Sequence, residues 1–157
     1  MSRSENMSEK LSICCLFIAE DNTSDDASLG WVDLLEKYLV YVANKRHNTS
    51  LSLQKLAIQE HVISTEAISN EIVLVVVSEA AQNNTYWQQT VDLLLKTDND
   101  RLVISLVKEP LTSNNLPQRL RSHKIFDFYL LDSGSGEVVP VERLLSTQYL
   151  NTYLFRV

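Results

Sequence analysis

Three short, uninterrupted apolar runs constrain this chain more than anything else in it. Residues 11–18 read LSICCLFI, residues 72–77 read IVLVVV, and residues 102–107 read LVISLV. A strand with one face in water alternates apolar and polar residues. A run that is apolar at nearly every position belongs to a strand covered on both faces. The second run is almost entirely β-branched, the residue type that best fits a pleated surface. Between the runs the period changes. Trp31, Leu34, Leu35, Tyr38, Leu39 and Val42 recur at helical spacing, and Trp87, Val91, Leu94 and Leu95 do so again. Strands buried on both faces and alternating with amphipathic helices predict βαβ units, a parallel sheet and right-handed crossovers.

The weaker elements fill in that frame. Residues 51–58 and 126–131 are expected to be strands, and 59–70 an irregular stretch with one helical turn near Glu66. Pro117 opens a short helix to Ser122. Pro140 opens a last one carrying Val141, Leu144, Leu145 and Tyr149. Asp26 or Ser28 is the expected cap of the first long helix, and Asn84 or Thr85 of the second. Residues 1–10 read as a solvated tail and 11–157 as one domain, in keeping with a length of 157 residues. The predicted fold is a flavodoxin-like α/β three-layer sandwich, a five-stranded parallel sheet of order 2-1-3-4-5 with helices on both faces. In such sheets ligands meet the loops beyond the strand C-termini. Here those are residues 19–28, 59–64, 78–85, 108–115 and 132–137.

Composition excludes several functions. The chain has three glycines, Gly30, Gly134 and Gly136. Neither phosphate-cradling glycine motif is present, so no Gly-rich nucleotide loop is expected. Twenty Asp and Glu against 14 Lys and Arg give a net charge of −6, which argues against non-specific nucleic-acid binding. The first apolar run is too short to span a membrane and lacks a signal-peptide cleavage pattern, so no membrane association is expected. Cys14 and Cys15 are neighbours on a predicted strand and point to opposite faces. Two buried free thiols suit a reducing cytoplasm. His47, His61 and His123 show no ligand spacing, and neither a metal nor any other cofactor is expected.

Two families place an acidic loop after the first strand of such a fold. Phe17, Ile18, Ala19, Glu20 and Asp21 resemble the metal-binding acidic pair of phosphoryl-receiver domains. The third strand, however, ends in Ser78 instead of a phospho-accepting Asp. The fifth ends in Asp132 instead of a Lys near a Pro. The whole chain is more similar to a bacterial-type Toll/interleukin-1 receptor (TIR) domain. Glu20 and Asp21 precede Gly30, Trp31, Val32 and Leu35. Ser78 closes the third strand and Trp87 opens the next helix. Val107, Lys108, Glu109 and Pro110 resemble the ending of that family's fourth strand, and Pro117 and Leu120 its later Pro-x-x-Leu.

Many TIR domains cleave the nicotinamide–ribose bond of NAD with a Glu four residues beyond that Trp. A carboxylate there stabilises the oxocarbenium-like ribose. Counting from Trp87 lands on Val91. Asp92 lies about 100° around the helix from that stripe, and it and Glu79 are the weak substitute candidates. Glu20 and Asp21 are expected near Glu79. The family's loop after the second strand carries Pro and Gly and contacts nucleotide or a second TIR domain. The matching Gln59, Glu60, His61, Val62, Ile63 and Ser64 contain neither. Val62 and Ile63 either anchor that loop or dock a partner.

The resemblance therefore implies a catalytically silent, degenerate TIR-like module without NAD, working by contact with a protein partner or by self-association. The expected contact residues are Gln59, Glu60, His61, Val62, Ile63 and Trp87, with Tyr153 and Phe155 of the aromatic C-terminal segment. The alternatives are an NAD-cleaving enzyme using Asp92 or Glu79, and a pseudo-receiver.

Overall fold

The computed structural model describes residues 9–23, 30–97, 100–112, 115–129 and 131–139. β1 (Glu9–Ile18) leads through a 3-10 turn (Ala19–Asn22) to α1 (Trp31–His47) and β2 (Thr49–Ile58). A second 3-10 turn (Thr65–Ala67) precedes β3 (Ile72–Val77), the short α2 (Glu79–Gln82) and α3 (Thr85–Thr97). β4 (Leu102–Val107), a third 3-10 turn (Gln118–Ser122) and β5 (Lys124–Asp127) follow. The sheet is parallel throughout, in the order β2-β1-β3-β4-β5. This is the flavodoxin-like arrangement that the alternation of runs and stripes predicts.

The double-sided burial of the central strands is explicit in the two cores. One face of the sheet presents Cys14, Leu16, Ile18, Val73, Val75 and Val77 to Trp87, Val91, Leu94 and Leu95 of α3. The other presents Ile13, Cys15, Phe17, Leu74 and Val76 to Val32, Leu35 and Tyr38 of α1. Successive strand residues serve opposite layers, and so the adjacent cysteines part company, both fully buried and both free. Burial pushes the Cys14 thiol up to about 11 and raises the Cys15 thiol further. Neither is poised as a nucleophile.

Several elements differ from the expectations, each for a local reason. β1 begins at Glu9, two residues before the apolar run, because β2 offers Thr49 and Ser50 as pairing partners. β5 occupies Lys124–Asp127 instead of 126–131. Its limits are set by pairing with β4, Ile104 opposite Lys124 through Val107 opposite Asp127, and not by its own hydrophobicity. Leu131 forms an isolated antiparallel bridge with Val138 across the turn at Gly136, whose φ of +75° suits glycine. On α1 the buried stripe is rotated towards Val32, while Leu34 is only half-buried. The segment expected to be a loop at 78–85 contains α2. Asp26, Ser28 and the expected helix after Pro140 lie outside the described residues.

The connection from β2 to β3 holds no α-helix, only the turn Thr65–Ala67. β2 is built for this. Its residues facing the α3 side near its start, Ser50, Ser52 and Gln54, are polar and exposed, whereas Leu51 and Leu53 pack towards α1.

Candidate functional site

The strand order reverses between β1 and β3, and the loops at the C-terminal ends of β1, β3 and β4 converge there. That crevice is where open α/β sheets bind their ligands. A buried polar cluster occupies it. Asp21 in the turn after β1 is 6% exposed, and Ser78 directly after β3 is 1% exposed. Ser78 Oγ donates to Asp21 Oδ2 at 2.7 Å. Lys108, directly after β4, brings Nζ to 3.4 Å from Asp21 Oδ1. The same ammonium lies 5.8 Å from the ring centroid of Trp31, which in turn stacks edge-on against Phe128. Three strand ends are thereby joined through one carboxylate.

Local sequence explains how each member is placed. Ser78 is the N-cap of α2, its Oγ accepting from the Ala81 N–H at 3.0 Å. Its hydroxyl therefore donates one hydrogen bond and accepts another. Trp31 is positioned from a distance. Asn22 Oδ1 accepts from the N–H groups of Val32 and Asp33 at 2.8 and 3.0 Å and so caps α1 from the turn after β1. Asn22 Nδ2 donates back to Asp33 Oδ1. Gly30 makes this clasp possible, since a Cβ there would overlap the Asn22 carbonyl. Asn84 Oδ1 accepts from the Trp87 N–H at 2.9 Å and caps α3 as the sequence predicts.

Burial raises the Asp21 carboxyl above the usual carboxylate range, the Lys108 charge and the Ser78 hydrogen bond oppose that rise, and Glu109 adds to it. A carboxylate kept dry and tied to a cation is a strong local constraint.

The sequence-predicted residues fall on both sides of this cluster. Asp21 enters it, whereas its neighbour Glu20 is exposed. Glu79 stands on the rim, with its carboxylate accepting from the Thr112 backbone N–H and, at 3.0 Å, from the Thr112 hydroxyl. Its own N–H donates to Glu109 Oε2 at 2.9 Å. Glu79 and Glu109 thus fasten α2 to the loop after β4. Asp92 projects from the far side of α3, 53% exposed, with Arg119 at 3.5 Å. Val91 is fully buried beside Trp87 in the apolar core. Trp87 is itself fully buried, so its assignment as a partner contact is corrected: the ring is core and offers no surface.

The loop after β2 divides in the same way. Gln59, Glu60 and His61 are exposed and Val62 is half-buried. The Ile63 side chain packs on the core, and its N–H donates to Thr90 Oγ1 at 3.0 Å. Ile63 is an anchor. Tyr153 and Phe155 lie outside the described residues.

Sequence reasoning missed Lys108 as a member of the site. Its signal was its place directly after a buried strand of an α/β sheet, one residue before Glu109. Among the described residues no group of three His, Cys, Asp or Glu side chains is placed to hold a metal ion, and no helix is long and apolar enough to cross a membrane. No protein-family model matches the chain, and no curated protein matches it.

Proposed function

We propose that this chain is a catalytically silent TIR-like module that works through protein–protein contact, as an adaptor or as a subunit of a larger assembly. The observation that carries this reading is Val91, fully buried in the position where the resemblance requires a carboxylate. Both substitute acids are engaged elsewhere. Asp92 faces solvent and Arg119, and Glu79 holds Thr112. The crevice at the strand ends is filled by the protein's own Asp21, Ser78 and Lys108.

The test is incubation of concentrated protein with NAD, following nicotinamide release. The expected result is no turnover. Release that disappears in Asp92→Ala or Glu79→Ala overturns this reading in favour of an enzyme with a displaced carboxylate.

One observation favours a second reading. An acid after β1, a hydroxyl after β3 and a lysine after β4 form a triad similar to that of a receiver domain, with the lysine one strand away from its usual place. A pseudo-receiver binds its partner without phosphoryl transfer. Acyl-phosphate treatment followed by intact-mass measurement is expected to add nothing, because Ser78 is buried and doubly hydrogen-bonded. A stable phosphate adduct that Ser78→Ala removes would establish a working receiver instead.

A further inference from the structure

The sheet has two edges, and they are unequal. β5 is four residues long, whereas β2 runs for ten. Among the described residues no strand pairs with the outer side of β2. Natural sheets blunt such an edge with prolines, bulges, short strands or outward charges. β2 reads TSLSLQKLAI, without proline, and its register with β1 is continuous from Thr49 to Ile58. Its single charge, Lys55, is held by α1 through Asp33 at 2.9 Å and Glu36 at 2.7 Å. Among the described residues neither a proline nor a bulge interrupts this edge, and its one charge is tied to α1.

We propose that β2 is a self-association surface, where two copies of the chain pair their β2 strands antiparallel about a two-fold axis at Ser52. The inference rests on the protein-contact reading and names the partner as a second copy. The strand is complementary to itself in that register. Ser52 faces Ser52 of the other copy, Leu51 faces Leu53, Ser50 faces Gln54, and Thr49 faces Lys55. Over residues 49–55 each apolar residue meets an apolar one and each polar residue meets a polar one, Leu56, Ala57 and Ile58 run past the paired segment, and the two lysines stand at opposite ends. Centring the pair on Leu53 would set Leu51 against Lys55 and Ser50 against Leu56. Centring it on Gln54 would set Leu53 against Lys55. A two-fold contact requires one patch to match itself, and this register supplies that match.

A second feature adjoins the axis. A groove of about 550 Å³ between α1 and β2 is lined by Val40, Tyr41 and Leu51, with Glu36 and Lys37 also on its wall. Tyr41 is 55% exposed and Val40 38%. The two-fold axis brings this groove towards its own copy and covers the exposed apolar pair.

Single-cysteine cross-linking with light scattering tests the register. Cys14 and Cys15 are fully buried and do not compete under native conditions. Ser52, Ser50 and Gln54 are all exposed, so cysteines there leave the core intact. The expected result is a mass rising from one chain towards two with concentration, and disulfide-linked dimers of Ser52→Cys forming at least about tenfold faster than those of Ser50→Cys or Gln54→Cys. Across the axis the last two sit about 13 Å from their own copies, beyond disulfide reach. Ser52→Lys sets two ammonium groups directly opposite each other and is expected to weaken the dimer by about tenfold or more while the circular dichroism stays unchanged.

A strict monomer overturns the proposal. So does a dimer indifferent to Ser52→Lys, or equal cross-linking at all three positions. Failure here is distinct from failure of the protein-contact reading. Nicotinamide release overturns that reading whatever the oligomeric state, whereas a monomer without turnover overturns only the pairing at β2.

Discussion

Two neighbouring regions of this molecule bury side chains for opposite purposes. Under α3, Trp87, Val91, Leu94 and Leu95 meet Val73, Val75 and Val77 in a dry core of ordinary hydrophobic packing. At the ends of β1, β3 and β4, Asp21, Ser78 and Lys108 meet in a polar cluster that is almost as well buried. The first region draws its stability from removing apolar surface from water and has no tolerance for charge. The second already contains a charge and holds it by pairing. A site once used for chemistry can become silent by either route, through replacing the reactive group with a core residue or by occupying the crevice with the protein's own polar groups. On the proposed reading both routes are present here, with Val91 in the core and Asp21, Ser78 and Lys108 in the crevice.

The largest effect expected from breaking this contrast is at Val91. Val91→Glu places an unpaired carboxylate in the dry core and is expected to destabilise the fold by roughly 4 kcal/mol or more. The measurement is chemical denaturation, and the expected outcome is a collapsed unfolding midpoint with no gain of nicotinamide release. A well-folded Val91→Glu protein would show that α3 can rotate to present this position to the crevice.

In the polar region the corresponding change is Lys108→Met. Methionine keeps much of the bulk over Trp31 and removes the cation, leaving Asp21 buried without its partner. The expected loss is about 2–3 kcal/mol at neutral pH, below the full value for a broken buried pair because Lys108 is 19% exposed. Its pH dependence is the sharper test. The folded-state pKa of Asp21 is raised chiefly by burial. Ionising this group therefore works against folding, so its contribution is most favourable below about pH 3.9, the unfolded value, and declines as pH rises through the raised folded value. Removing Lys108 raises the folded value further and widens that window. The Lys108→Met deficit is expected to disappear at acid pH, and in Asp21→Asn the decline itself is expected to vanish. A deficit independent of pH would mean that Lys108 acts by packing on Trp31 alone.

A smaller effect is expected at the clasp that positions Trp31. Asn22→Ala removes the remote cap of α1 and is expected to cost about 1 kcal/mol, typical of a lost N-cap. Its signature is a local one: faster amide exchange at Val32 and Asp33, whose N–H groups Asn22 satisfies. Unchanged exchange there would place the cap elsewhere.

How much of this was legible in the sequence follows the same division. The dry core was legible almost residue by residue, because burial on both faces of a strand and on one stripe of a helix leaves a periodic pattern. The runs at Cys14 to Ile18 and Ile72 to Val77 and the stripe at Trp87, Val91, Leu94 and Leu95 all sit where their periods place them. The polar cluster was only half legible. Asp21 and Ser78 drew attention by their place after strands, but Lys108 reads in sequence as an ordinary surface charge. Its role comes from three strand ends meeting in space. The Asn22 clasp was illegible for a related reason: its partners lie ten and eleven residues away, beyond any local capping signature. The edge of β5 was misplaced because its extent is decided by the length of β4 and not by its own residues.

The smallest expected effect lies one residue from the largest. Asp92 follows Val91 on α3, yet its carboxylate is half exposed and its ion pair with Arg119 at 3.5 Å involves two side chains that are each more than half in water. Solvent screening and the entropy of holding two long side chains leave such a pair little net value. Asp92→Ala is expected to change stability by less than about 0.5 kcal/mol, measured by the same denaturation that reports Val91→Glu. A loss well above that would mean that the Arg119 contact fastens the turn Gln118–Ser122 to α3, and that the solvent-facing side of this helix is as demanding as its buried one. A null result, beside the collapse expected at Val91, would put the boundary between the core and water between two consecutive residues of a single helix.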